Sequence, residues 1–395
     1  MTAPDHASRD HARLSPSSSH RFLGAYPTYQ GCTAAPGLEA EFPDTSSTAA
    51  AEGTLCHEFC EVKVRNYFYP TEMTNRKLNN ALKKLREEEL YDKEMEDCSD
   101  EYLEYIKDKA MEYDANPFVA IEQRLDISAY LPECFGTGDC IMICGNDLRV
   151  IDYKHGKGVP VSAEHNTQLM LYALGAYAIY GLLYPIKTIK LSIFQPRINN
   201  TNEWQCTKDE LLAFGELVRA KVDEINNNPT FRPGEEACRF CKARQTCRAR
   251  AENNLKLAGF VGQMPPTISA DEVGKYLIEG KDIVSWLSDL EEWALKECLS
   301  GNEVPGWKAV HGRANRRWTD QEEAFKTLKE KGYDEAVLYE RKPITLTATE
   351  KLVGKKEFTA ILGKYVEKPE GAPVLVVESD KREAIKPVNA NDVFK

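Results

Sequence analysis

Hydrophobic and polar residues recur along the chain with two periods, and the change of period separates predicted helices from predicted strands. Apolar residues recur at about every second position, as in a half-buried strand, in Ile121–Ile127, Gly138–Cys144, Leu148–Lys154 and Thr188–Gln195. Helical spacing occupies His20–Leu23, a pattern within Ala49–Arg65, residues 76–113, Asn166–Tyr184, Lys208–Asn226 and Ala270–Leu299. This succession predicts an α/β fold with a helical insertion at about residues 70–115.

Composition along the chain predicts three segments. Residues 1–16 contain few apolar residues and are predicted to be disordered. Residues 17–258 form the main predicted domain, and Gly259–Pro266 resembles a linker. Residues 259–395 are predicted to be an α+β extension of unknown role, in which Gly312–Trp318 combines cations with an aromatic ring, a pairing that suits single-stranded nucleic acid.

Hydropathy and charge limit the classes of partner. The 395-residue chain is 42% hydrophobic, contains no apolar run of membrane-spanning length and starts with a polar segment, so we expect a cytoplasmic protein without a membrane partner. Its net charge of −11 argues against coating nucleic acid through an overall positive field, although a local basic channel is compatible with it. The acidic stretch Arg86–Glu104 is either a solvated helix face or a surface that repels DNA.

A two-residue turn places two carboxylates opposite each other. If Gly145 and Asn146 form the turn of a hairpin, paired residues have numbers that sum to 291, and Asp139 lies opposite Asp152. Opposed side chains share a face about 4.5–5.5 Å apart, and alternation adds Lys154 to that face. The pair suits one or two Mg²⁺ or Mn²⁺ ions. A solvated surface hairpin is the alternative.

Further motifs extend the acidic hairpin into an ordered set. Gly53-Thr54-x-x-His57-x-x-x-Glu61 precedes Gly138-Asp139, and Asp152-Tyr153-Lys154 precedes Gln168-x-x-x-Tyr172. Taken alone, His57 is compatible with an ordinary partly buried histidine, and Gln168 and Tyr172 with a polar edge on a core helix. A zinc-protease motif is excluded because Glu61 stands where a second histidine is required. Glu122, at the start of the preceding strand, is a weaker candidate carboxylate.

This motif order resembles the RecB-like PD-(D/E)XK nucleases, which include CRISPR-associated adaptation nucleases, and the whole arrangement also resembles an uncharacterised phage and prophage RecB-like family. The resemblance implies a restriction-endonuclease-like core, in which helices flank a central mixed sheet. It also implies that His57, Asp139, Asp152 and the Tyr153 carbonyl bind metal, that Lys154 is the catalytic lysine, and that Gln168 and Tyr172 support the site or touch DNA.

Three cysteines, Cys238, Cys241 and Cys247, have the spacing of metal ligands but no fourth ligand nearby. In iron–sulfur members of the RecB-like group an N-terminal cysteine completes the set, and Cys32 occupies that place here. The resemblance therefore implies a [4Fe–4S] cluster that joins the two ends of the domain. Zinc bound by the same cysteines and uncoordinated thiols are the alternatives.

Five cations interleave with the cysteines and are interpreted either as a phosphate-binding track or as a solvated basic helix: Arg239, Lys242, Arg244, Arg248 and Arg250. The leading hypothesis is a metal-dependent DNA nuclease, an exonuclease acting on single-stranded DNA or free ends in recombination, replication or end processing in a bacterium or phage-infected host. A recombination or replication protein is an expected partner. The alternatives are a non-catalytic iron–sulfur DNA-binding accessory protein and a zinc-bound adaptor.

Overall fold

The chain divides into two units, Met1–Val310 and His311–Lys395. The computed structural model describes residues 14–43, 48–256, 268–310, 320–330, 338 and 346–366. The predicted disordered segment, the linker and the Gly312–Trp318 motif lie mostly or entirely outside these residues. Where it is described, the second unit contains the helices Gln321–Glu330, Leu346–Val353 and Lys355–Leu362, and no strand within those residues.

The first unit is built on a five-stranded mixed sheet in the order β1-β2-β3-β4-β5. The strands β3 and β4 are parallel, and the other neighbours are antiparallel. The parallel pair requires a crossover, which the apolar helix after β3 provides. The strands are β1 Phe118–Asp126, β2 Phe135–Cys144, β3 Asp147–Tyr153, β4 Thr188–Gln195 and β5 Asn200–Thr207.

Helices cover both faces of the sheet, so residues on each central strand alternate between two buried layers. Leu148 and Val150 belong to one apolar cluster with α6 (Thr167–Tyr180) and α7 (Lys208–Asn227). Ile151 and Tyr153 belong to the other, with α3 (Thr48–Phe68) and α5 (Lys93–Met111). The helices of the first unit are α1 Ser19–Leu23, α2 Ala35–Glu39, α3 Thr48–Phe68, α4 Asn75–Leu85, α5 Lys93–Met111, α6 Thr167–Tyr180, α7 Lys208–Asn227, α8 Glu235–Cys238, α9 Arg248–Leu255, α10 Ala270–Glu279 and α11 Ile283–Leu299.

The predicted elements mostly correspond to observed ones, but the short helices α2, α8 and α9 were not predicted, and two helical stretches and one strand also differ. The predicted helical stretch 76–113 is two helices, because Asp92 caps a new helix by accepting a hydrogen bond from the Glu94 amide. Ala270–Leu299 is likewise interrupted between α10 and α11. Strand β5 was not predicted, because its residues are mostly polar and it lies at the edge of the sheet. In the described residues, no helix is both long and apolar enough to span a bilayer.

Candidate metal centre and cysteine pocket

The acidic hairpin has the predicted register. Cys144 pairs with Asp147 and Cys140 with Ile151, so the sum of 291 holds along the β2–β3 ladder. Gly145 in the turn has φ +58°, a conformation that favours glycine. At the open end, the Asp139 carboxylate accepts a hydrogen bond of 2.7 Å from the Tyr153 amide. Asp152 therefore lies near the end of β3, and Asp139 lies within β2, next to the last residue pair of the β2–β3 ladder.

Helix α6 contributes an amide that joins the catalytic candidates. Gln168 Nε2 donates to Asp152 Oδ1 at 3.3 Å and to the Tyr172 hydroxyl at 3.0 Å, while its Oε1 accepts from Lys154 Nζ at 3.0 Å. Lys154 Nζ also lies 2.9 Å from Asp152 Oδ2. A Cβ at Gly136 would lie 2.6 Å from a ring carbon of Tyr172, so glycine permits this close packing. The structure thus brings together Asp152, Lys154, Gln168 and Tyr172.

His57 and Glu122 complete the cluster around Asp139. His57 Nδ1 lies 3.5 Å from an Asp139 oxygen and 3.9 Å from a Glu122 oxygen. The three side chains each offer a ligand atom within 4.8 Å of the others, and among the described residues they alone form such a group. Glu61 lines the same small cavity as these three residues and forms an ion pair with Arg65 at 2.8 Å.

Glu122 carries backbone strain at the centre of this group. Its φ is +50°, which is unusual for a non-glycine residue in a strand. Ile121 pairs with Cys140 and Gln123 with Gly138, so Glu122 lies opposite Asp139 on the neighbouring strand. Its side chain is only 3% exposed. Strain of this kind concentrates at functional sites, and the β1–β2 register is the feature that assigns Glu122 to the centre.

The centre holds more negative than positive charge. Glu122, Asp139 and Asp152 contribute three carboxylates, against which Lys154 supplies one cation and His57 is a neutral ligand when it binds metal. Burial raises the pKa of Asp152, an effect that Lys154 opposes and Asp139 reinforces. Burial alone would lower the pKa of Lys154, but Asp152 outweighs it and the pKa is raised. Asp152 Oδ2 is buried, and the Lys154 ammonium lies 2.9 Å from it.

These observations fit a divalent cation. Buried carboxylates require a compensating charge, and three carboxylates with one imidazole are ligands that Mg²⁺ or Mn²⁺ accepts.

The Tyr153 side chain lies on the face of the sheet that α3 and α5 cover, where its hydroxyl is 3.1 Å from Cys56 Sγ and 2.9 Å from His155 Nδ1. Its ring packs edge-on against His57. The metal-binding role of the Tyr153 carbonyl stays a prediction.

The four predicted cysteine ligands line one small cavity, although Cys32 is more than 200 residues from the others in the chain. The Gly234 amide donates to Cys238 Sγ at 3.4 Å. Burial raises the pKa of Cys238 to about 11 and that of Cys241 to about 12. These thiols are therefore neutral near pH 7 unless a metal stabilises their thiolates.

The spacing of the cysteines bears on which metal they fit. Thiolates around one tetrahedral zinc lie about 3.8 Å apart, as follows from Zn–S bonds of about 2.3 Å. Among the described residues, no three of the cysteines have sulfurs within 4.8 Å of one another. A four-iron cluster, in which each thiolate binds a different iron, accommodates the wider separation. The choice between a cluster and a single zinc ion stays a prediction.

Hydrogen bonds hold the loop that carries Cys32 against the segment that carries the other three cysteines of the pocket. The Thr230 amide donates to Thr33 Oγ1 at 2.8 Å, and the Ala34 amide donates to the Thr230 carbonyl at 3.2 Å. The Lys242 amide donates to Glu39 at 2.9 Å. These bonds bring the N-terminal segment to the segment that follows α7, as the predicted clamp requires.

Both interpretations of the five cations, a phosphate track and a solvated basic helix, are wrong for Arg250. This side chain is fully buried and bonds Asp282 and Asp289. Arg244 also pairs with Asp289, and Arg239 pairs with Glu235. Three of the five cations are therefore committed to carboxylates of this chain, which favours a structural role for them.

Two comparisons relate the chain to other proteins. A family model described as "Protein of unknown function (DUF2800)" matches residues 11–383. A solved structure titled "Crystal structure of SSO0001" is 16% identical, covering 49% of this chain and 85% of its own, with a TM-score of 0.23. A similarity this low carries no argument about fold or function.

Proposed function

The chain belongs to the DUF2800 family, whose function is unknown, and we propose that it is a metal-dependent DNA nuclease of the PD-(D/E)XK type. One observation carries the proposal: Asp139, Asp152 and Lys154 come together where the pairing of β2 with β3 ends, beside His57 and Glu122. Carboxylates that hold a cation beside a lysine suit phosphodiester hydrolysis, in which negative charge develops on a phosphate. Unpaired or free-ended DNA in phage or bacterial recombination and replication is the proposed substrate.

Each residue of the centre has a distinct proposed role. His57, Glu122, Asp139 and Asp152 would hold Mg²⁺ or Mn²⁺, which supplies positive charge to polarise a phosphate oxygen. Lys154 carries a proton, since its pKa is raised, and its ammonium donates to the phosphate or orients the attacking water. Gln168 holds Lys154 and Asp152 at fixed positions through both ends of its amide.

The cysteine pocket has a separate proposed role. Cys32, Cys238, Cys241 and Cys247 would bind a [4Fe–4S] cluster, with zinc as the alternative. Because they join segments about 200 residues apart, a cluster bound there constrains a long loop and stabilises the folded domain. Brown colour and visible absorbance after anaerobic purification distinguish the cluster from zinc.

The decisive test is digestion of end-labelled single- and double-stranded DNA with Mn²⁺ or Mg²⁺ by the wild-type protein and by Lys154→Ala. We expect Lys154→Ala to lose about 100- to 1000-fold in rate, the range seen when a preorganised charge-stabilising group is removed. Lys157→Ala is the matched control, because Lys157 is three residues away, 62% exposed and 3.9 Å from Glu94. Equal cleavage by Lys154→Ala and wild type rejects the catalytic assignment. DNA binding without cleavage by the wild type favours the accessory-protein alternative.

A further inference from the structure

A stack of aromatic rings lies on the surface of the first unit, outside the metal centre. The Tyr26 and His165 rings are parallel within 1°, with centroids 3.5 Å apart. The Trp204 ring lies 4.3 Å from the His165 ring. Tyr26 is 55% exposed, which is unusual for a ring that stacks to complete a core. The stack presents aromatic surface to solvent.

Backbone strain accompanies this arrangement. His165 has a φ of +51°, in the left-handed region that non-glycine residues seldom adopt. It precedes Asn166, which caps α6 by accepting from the Leu169 amide. The chain thus holds the imidazole beside Tyr26 in an unfavourable backbone conformation. An observed outlier of this kind supports a functional hypothesis.

The stack is close to the catalytic candidates along the chain. His165 is three residues from Gln168, so their Cα atoms are at most about 11 Å apart. Tyr26 follows α1, and α1 is joined to the first turn of α6 by a 2.7 Å hydrogen bond between the Ser19 and Thr167 hydroxyls. Tyr26 also borders an open cavity that His20, Gly24 and Gln30 help to line. A nucleic-acid strand whose end lies at the metal centre can therefore reach the aromatic stack.

The chemistry of this surface identifies its ligand class. The charged groups near His165 include the carboxylates Glu164, its neighbour in the chain, and Glu210, whose pKa His165 lowers; neither attracts phosphate. Aromatic rings instead bind the face of any nucleobase. Bases inside a duplex are already stacked on each other, so only unpaired bases offer that face.

We propose that Tyr26, supported by His165 and Trp204, is a stacking site for an unpaired nucleobase of a single strand that leads to the metal centre. The proposal rests on the proposed nuclease function. It assigns to these rings the preference for single-stranded over duplex DNA, and it predicts a binding contribution that depends little on salt.

The test uses fluorescein-labelled dT₁₂ and an abasic oligonucleotide of the same length, titrated by anisotropy in metal-free buffer to prevent cleavage. We expect Tyr26→Ala to weaken binding of dT₁₂ by about 5- to 150-fold, the equivalent of about 1–3 kcal/mol for one stacked base. Tyr26→Trp should retain the affinity. The abasic strand should bind wild type and Tyr26→Ala equally weakly. Tyr67→Ala, which changes a tyrosine of similar exposure (50%) on α3, should bind like wild type.

A second readout follows the rings themselves. Bound bases should quench the fluorescence of Trp204, so dT₁₂ should quench the wild-type protein more strongly than Trp204→Phe. If Tyr26→Ala, shown by circular dichroism to be folded, binds dT₁₂ as tightly as wild type, the stacking site is refuted while the nuclease proposal stands. If the wild type binds neither single- nor double-stranded DNA, the proposed function itself fails.

Discussion

Replacement of Arg250 by alanine is the perturbation whose cost the structure defines best. Its Nε and Nη2 each donate to an Asp282 oxygen at 2.7 Å. Its Nη1 donates to Asp289 and, at 3.1 Å, to the Arg244 carbonyl. The side chain has no exposed surface. A single guanidinium thus ties α9, which follows the cysteine pocket, to the first turns of α11.

Alanine at this position would leave Asp282 without its cation and Asp289 paired with Arg244 alone. Asp282 and Asp289 are only 8% and 13% exposed, so water replaces the lost bonds poorly. Removal of one partner from a buried ion pair costs about 3–5 kcal/mol, and we expect the free energy of unfolding to fall by that amount. Arg239→Ala removes a pair in which both side chains are about one-third exposed, and we expect it to cost less than about 1 kcal/mol.

Urea unfolding followed by tryptophan fluorescence measures the difference, because Trp286 and Trp293 lie on α11. Burial alone would raise the pKa of Asp282, but hydrogen bonds from Arg250 and Asn254 outweigh it and lower the pKa. Because folding lowers the pKa of Asp282, its ionised carboxylate stabilises the folded state at pH values above the ordinary carboxyl pKa. This contribution is lost as the pH falls through the folded-state pKa. The difference in the free energy of unfolding between wild type and Arg250→Ala should therefore become smaller at acidic pH. A gap below about 1 kcal/mol at pH 7 contradicts the reasoning.

Three further predictions concern separate parts of the first unit. Glu122→Gln should weaken Mn²⁺ binding, measured by calorimetry, by at least about tenfold, since even outer-shell changes cost 10- to 100-fold. Glu216→Gln, which changes an exposed carboxylate of α7, is the control. Equal Mn²⁺ affinities of Glu122→Gln and wild type would remove Glu122 from the centre. Cys32→Ser should lower the iron or zinc content per chain. Cys206→Ser should not, because Cys206 is a buried cysteine outside the pocket. An unchanged metal content in Cys32→Ser would exclude Cys32 as a ligand. Hydrogen bonds from Arg86 lower the pKa of Glu96 to about 2, so the stabilising effect of Glu96 is present above pH 4.5 and lost toward pH 2. The urea midpoints of wild type and Glu96→Gln should therefore converge as the pH falls over that range. A constant difference between the two midpoints would refute the linkage.

Local patterns predict the part of the site that local chemistry determines. The turn at Gly145 is two residues long, so the register of β2 and β3 follows from counting, and the structure has that register. Lys154 and Asp152 lie close together because alternation places both on one face. Gln168 and Tyr172 are one helical turn apart, and their contact follows from helix geometry.

The remaining features depend on contacts between distant segments. Glu122 joins the centre through the β1–β2 register, and the connection between those strands is too long to determine that register from local sequence. Arg250 resembles a solvated cation in sequence because its partners, Asp282 and Asp289, are more than 30 residues away. Strand β5 escapes prediction because an edge strand with polar residues lacks the apolar run that marks a buried strand.

The cysteine pocket and the metal centre are joined by a short series of hydrogen bonds. The Cys32 amide donates to the Arg21 carbonyl of α1 at 2.8 Å. At the other end of α1, the buried Ser19 hydroxyl lies 2.7 Å from that of Thr167, and the next residue, Gln168, bonds both Lys154 and Asp152. Because each link is fixed by a direct bond, displacement of the Cys32 loop is expected to shift the start of α6 and with it the amide that positions the proposed catalytic lysine. A cluster in the pocket would then stabilise the geometry of the metal centre as well as the fold.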